Sequence, residues 1–207
     1  MTFNENSWTN SQFNKALQWL HTLFNVDAFY SISVNLETKP GLEMKQYVIQ
    51  IKPSTPGMYA YYYMHEDTHS KLQRTAYENF IRKYVTLLWK DAGGASPAAI
   101  LLDTVVSDVF LVEKLIVNIS WFGLINSKYS GIGLSPATVV NAPYQKYMTN
   151  IDLMLHEFLP MRVVNNYLMW KLALQYVHTL GWDYLHINRE WALVKYNGYV
   201  NFVGHER

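Results

Sequence analysis

Residues 59–69 read YAYYYMHEDTH, and whether they extend a sheet or open a helix decides the fold. Tyrosine suits the pleated, half-buried surface of a strand, so Met58 to Met64 is expected to form one. If that strand continued through His65, Asp67 and His69, all three side chains would project from one face. Two imidazoles and a carboxylate are a ligand set for zinc or non-haem iron. The same residues also satisfy a helix start. Asp67 or Thr68 can accept from the first free amides, and Glu66 and Asp67 suit the positive end of a helix dipole. A helix beginning there turns His69 away, so the stretch is read as an aromatic strand followed by a cap.

Upstream, Phe13, Leu17, Leu20 and Phe24 fall at helical spacing behind Thr9, Asn10 or Ser11 as N-cap. From Phe29 the period becomes two. Tyr30, Ile32 and Val34 alternate with Ser31, Ser33 and Asn35; after a Lys39–Pro40–Gly41 turn, Tyr47, Ile49 and Ile51 alternate with Val48, Gln50 and Lys52. Pro53 to Gly57 supplies the next turn.

Downstream, Ala76, Tyr77, Phe80, Ile81, Tyr84, Leu87 and Leu88 trace the apolar face of a helix that Gly93 and Gly94 close. Between Pro97 and Gly123 the polar residues Asp103, Ser107, Lys114 and Asn118 recur in steps of four or seven, which predicts a long helix buried on most of its circumference. Gly131, Gly133, Pro136 and Pro143 mark 126–147 as a long loop of the kind that contacts partners. A helix from Thr149 or Asn150 meets Pro160, which kinks it or starts a second one running to Leu180, with Gly181 as its stop. Asn197–Gly198 between two β-rich runs predicts a hairpin over 191–203. The expected fold is α+β, one domain over 1–207: a three-stranded antiparallel meander packed against long helices, with a C-terminal β-hairpin.

Composition narrows the function classes. Hydrophobic residues make up 50% of the 207 and charged residues 16%, against roughly 25% charged in an ordinary soluble domain. A membrane span would explain that, but the longest apolar run, Ala98 to Ile125, holds Asp103, Asp108, Glu113 and Lys114. No membrane span is expected. The opening MTFNENSWTN has neither a basic start nor an apolar stretch, so synthesis in the cytoplasm is the expectation. Lys and Arg number 17 against 16 Asp and Glu, with no basic stripe to neutralise phosphates, so no nucleic-acid partner is expected. With no cysteine, disulfides, zinc–thiolate sites, iron–sulfur clusters and thiol nucleophiles are excluded.

The motifs of common chemistry are incomplete. HEFLP places Pro160 where a zinc-protease helix needs its second histidine. The glycines of SGIGLSPA neither follow a strand nor precede Lys–Ser/Thr, so no phosphate cradle forms, and there is no GxSxG elbow. No catalytic residue, cofactor or metal is assigned. Asp183, His186 and Glu190 fit a surface connector before the terminal hairpin, and His178 suits a helix C-terminus.

What is in excess is aromatic: 16 Tyr and 7 Trp, with 8 Met beside them. Protein interfaces are enriched in these residues and poor in Lys, Glu and Asp; the competing explanation is that they fill a large core. Tyr59, Tyr61, Tyr63, Tyr129, Tyr144 and Tyr199 are the candidate partner contacts. The expectation is a non-enzymatic structural or assembly subunit, homo-oligomeric or bound to other protein subunits. Many Asn and Tyr with no Cys suggest a bacteriophage particle component, incorporated into a virion. Two alternatives stand beside it: a metal-dependent enzyme using His65 and Asp67 with a distant histidine such as His156 or His178, and a small host-directed inhibitor or binding protein.

Overall fold

A computed structural model describes residues 9–38, 45–122, 140–141 and 145–204. The chain divides into two compact units, one drawn from 1–55 and 118–160, the other from 56–117 and 161–207.

The first unit opens with α1 (Asn10–Thr22). Thr9 caps it: its hydroxyl accepts from the Gln12 amide while the Gln12 side chain accepts from the Thr9 amide, so two free donors are satisfied at once. Phe13, Leu17 and Leu20 are buried as their spacing requires. The helix unwinds at Asn25, whose φ of 51° is a left-handed conformation that asparagine tolerates. The chain then extends into β1 (Tyr30–Thr38), which pairs antiparallel with β2 (Lys45–Pro53), Val34 opposite Ile49. β3 is a two-residue strand, Val140–Asn141, parallel to Ile49–Gln50.

In the same unit α5 (Gln145–Leu153) passes into a π-helical turn, Met154–Phe158. Pro160 has no amide hydrogen to offer the His156 carbonyl. The turn widens instead, and the Leu159 amide reaches back to the Met154 carbonyl at 3.0 Å.

The second unit is helical. It holds α2 (Ala60–Met64), α3 (Thr68–Asp91), most of α4 (Ala99–Phe122), α6 (Met161–Gln175), a 3-10 turn at Val177–Thr179, and α7 (Trp182–Gly204). α3 ends as its glycines predict: Gly93 takes a φ of 77°, and the Gly94 amide bonds the Trp89 carbonyl at 3.0 Å. Its core is aromatic. Tyr77 and Phe80 of α3 contact Trp170 of α6 and Trp191 of α7, with ring centroids 5.0–6.3 Å apart, the range in which aromatic pairs attract beyond simple burial.

The expected α+β fold, a three-stranded antiparallel meander with a C-terminal hairpin, is corrected: the described residues are mostly helical, and β1 with β2 is their only antiparallel pair. Met58–Met64 is not a third strand: it carries α2, and successive Tyr62 and Tyr63 are 3% and 2% exposed. A strand would send those two side chains to opposite faces. The C-terminal hairpin over 191–203 is absent, because Asn197–Gly198 lies inside α7. That helix is fixed on α3 by the buried Trp191 and by Gln73, whose amide donates to the Val194 carbonyl at 3.0 Å. A hairpin standing alone is marginal, whereas a helix already nucleated from Trp182 extends at little cost. Asp183, His186 and Glu190 accordingly sit on a helix, with His186 and Glu190 one turn apart and 3.3 Å from contact to contact. Most of the expected loop 126–147 lies outside the described residues. No helix among the described residues is long and apolar enough to cross a membrane.

Candidate functional site

The histidines of YAYYYMHEDTH do not converge. His65 stacks on Tyr61, ring centroids 3.9 Å apart, and its Nδ1 lies 3.0 Å from the Tyr61 carbonyl, one helical turn back. Asp67 is the N-cap of α3: one carboxylate oxygen accepts from the Ser70 amide at 2.9 Å, the other from its hydroxyl at 2.6 Å. Those bonds hold its carboxyl below the usual range. His69 Nε2 faces the Tyr62 hydroxyl at 3.4 Å. Arg74 locks the junction by donating to the Tyr62 and His65 carbonyls and to Glu66. Asp67→Ala is expected to lower the midpoint of denaturant unfolding by removing the N-cap of α3, and His65→Ala to leave it nearly unchanged. Among the described residues, no three metal-ligating side chains come together.

The group that sequence periodicity overlooked is Glu113. α4 carries it off the stripe formed by Asp103, Ser107, Lys114 and Asn118, wholly buried. Its Oε1 accepts from the Gly57 amide at 3.0 Å and from the Tyr77 hydroxyl at 3.2 Å; its Oε2 accepts from the Tyr63 hydroxyl. Tyr77 in turn accepts from the Trp170 indole at 3.1 Å, and Tyr63 from the Met58 amide at 3.2 Å. Burial pushes the Glu113 carboxyl above its ordinary range, against the pull of these donors and of Lys171. Burial and the neighbouring carboxylate push the Tyr63 and Tyr77 hydroxyls well above theirs, so both remain donors. Lys195 of α7 completes the group by donating to the Gly57 carbonyl at 2.9 Å; burial lowers it and Glu113 raises it.

Chemically this is a hydrogen-bond hub. Both Glu113 oxygens are engaged by protein donors, and the carboxylate is sealed inside the aromatic core. It ties the Gly57 turn, α2, α3 and α4 together. Asp108, also on α4 and buried, serves α6 in the same way, accepting from Arg162 and from Asn166, the latter at 2.7 Å. The signal was present in the sequence: both acids lie off the polar stripe of their helix.

The candidate contact tyrosines separate. Tyr59 is exposed, with the Lys195 ammonium 6.0 Å from its ring, and Tyr61 is half-buried. Tyr63 is buried on Glu113 rather than presented at a surface. Tyr199 belongs to α7; Tyr129 and Tyr144 lie outside the described residues. Much of the aromatic excess therefore serves the core, through Tyr62, Tyr63, Tyr77, Tyr84, Tyr147, Tyr167 and Tyr184.

The exposed apolar surface lies elsewhere, on the hairpin. The register sets Ile32, Val34 and Leu36 of β1 opposite Ile51, Ile49 and Tyr47 of β2, all on one face. Ile51 is buried at one end, but Ile32 is 47%, Val34 65%, Leu36 51% and Tyr47 77% exposed. The other face carries Ser31, Ser33, Asn35 and Gln50, and also the buried Val48. An amphipathic hairpin thus turns much of its apolar side outward. Comparison with protein-family models gives no match, and comparison with curated proteins gives none either.

Proposed function

We propose that this chain is a structural or assembly subunit of a multiprotein complex, a component of a viral particle such as a bacteriophage's being the concrete case. The observation that supports it is the outward apolar face of the hairpin, formed by Ile32, Val34, Leu36 and Tyr47. Scattered exposed apolar residues are ordinary, whereas a contiguous row of them marks a surface that another chain covers. The low charge of the chain fits the same reading, since interface cores are depleted in Lys, Glu and Asp. Tyr59, exposed beside α2, is a further contact residue. Light scattering is expected to give a mass above that of the single chain, or affinity capture from the native source a stoichiometric protein partner. A monomer at high concentration with no partner recovered overturns the proposal.

A further inference from the structure

We propose that β1 pairs antiparallel with β1 of a second copy of this chain, about a two-fold axis through Val34; the inference rests on the assembly function above and names its geometry. β1 is an edge: the sheet order is β1-β2-β3, and β2 is its only strand neighbour among the described residues. Ile32, Ser33 and Val34 are successive, point alternately to opposite faces, and are all exposed, so the centre of the strand is uncovered on both faces by the described residues. Natural edges are guarded by proline, lysine or bulges. Tyr30–Thr38 contains neither proline nor lysine, and its single charge is Glu37.

The pattern of β1 is symmetric about its central residue, which argues for a copy of itself as the occupant. With Val34 opposite Val34 of the second copy, Ile32 meets Leu36 and every apolar side chain of the centre finds an apolar neighbour. On the other face Ser33 meets Asn35 and Ser31 meets Glu37, so no like charges are opposed and the two Glu37 residues lie at opposite ends of the ladder. Pairing also joins two three-stranded sheets into one continuous sheet through their β1 edges. The apolar rows of both copies then run side by side.

The absence of cysteine makes the test clean. Facing side chains of an antiparallel pair have Cβ atoms roughly 4.5–5.5 Å apart, close to disulfide geometry. Mild oxidation of Val34→Cys is expected to give a covalent dimer, and an equimolar mixture of Ile32→Cys and Leu36→Cys a mixed dimer in excess over either alone. Trp19→Cys, exposed on α1, serves as the collision control. Val34→Lys, which would set two ammonium groups face to face, is expected to halve the mass seen by light scattering with the far-ultraviolet spectrum unchanged. An oligomer that survives Val34→Lys, or that crosslinks at Val34 no faster than the Trp19 control, overturns β1 pairing and leaves assembly through another surface standing. A wild-type monomer with no partner overturns both. Should Val34→Lys fail to fold, the Ile32→Cys and Leu36→Cys mixture still decides.

Discussion

Glu113→Ala is expected to lower the unfolding free energy by about 3–5 kcal/mol, the cost of stranding several buried hydrogen-bond donors at once, and the melting temperature by roughly 10 °C. The physical reason is what stays behind. The Gly57 amide and the Tyr63 and Tyr77 hydroxyls all donate to this carboxylate, and each buried donor left without a partner costs about 1–3 kcal/mol. Near-ultraviolet circular dichroism during urea unfolding would follow it, since the group touches Tyr77 and Trp170. A loss below about 1 kcal/mol would show that the hub carries little of the stability.

Glu113→Gln keeps the shape and is expected to cost less, about 1–3 kcal/mol, because one amide hydrogen-bonding edge now meets donors with a donor. It also isolates the pH dependence. Burial raises the folded carboxyl above its unfolded value. The stability that this group contributes is therefore fully present below the unfolded value, about pH 4.3, and is lost as pH rises through the folded one. The advantage of wild type over Glu113→Gln should accordingly shrink as pH rises above the ordinary glutamate range. A constant difference across that range would mean that Glu113 titrates alike in both states.

Gly57→Ala is the second large effect, expected to cost about 2–4 kcal/mol as an overpacking substitution at a rigid wall. A β-carbon there would lie 1.9 Å from the Tyr77 hydroxyl oxygen and 2.2 Å from its Cζ. Tyr77 cannot step aside, since it is wholly buried and held by Glu113 and Trp170. The same backbone amide must also approach Glu113, and the same carbonyl Lys195. Calorimetry of Gly57→Ala should show a melting temperature about as low as that of Glu113→Ala, and the double variant less than the sum of the two, because they share Tyr77. Full additivity would show that the clash and the hub are separate.

What was legible in the chain was local. Thr9 with Gln12, Asp67 with Ser70, and Gly93 with Gly94 place the ends of α1 and α3 where bonds three or four residues away put them. The alternation of Tyr30 to Asn35 and of Tyr47 to Lys52 gives the two strands of the hairpin, which pair antiparallel. Asp67 decides between cap and ligand by the same short-range chemistry. What was not legible depended on residues far away. The tyrosines of α2 favour a strand by propensity, yet Tyr63 finds its partner in Glu113, and a helical turn is what buries it beside Tyr62. Asn197–Gly198 is a hairpin signal that α7 overrides because α3 already holds Trp191 and Val194. Glu113 read as a reason against a membrane span, whereas in the fold it is the acceptor on which Gly57, Tyr63 and Tyr77 meet.

The sequence by itself determined the ends of α3, the two-stranded ladder, the absence of thiol chemistry and the scarcity of charge, because each follows from neighbouring residues or from composition, whereas the helix expected to run to Leu180 stops at Gln175 and the one expected from Thr149 or Asn150 starts at Gln145. Only the tertiary structure decided that YAYYYM is helical, that two acids of α4 face inward, and that the hairpin shows its apolar side to solvent. Those outcomes turn on which distant surfaces offer hydrogen bonds and burial, and a periodicity read along the chain contains no record of them.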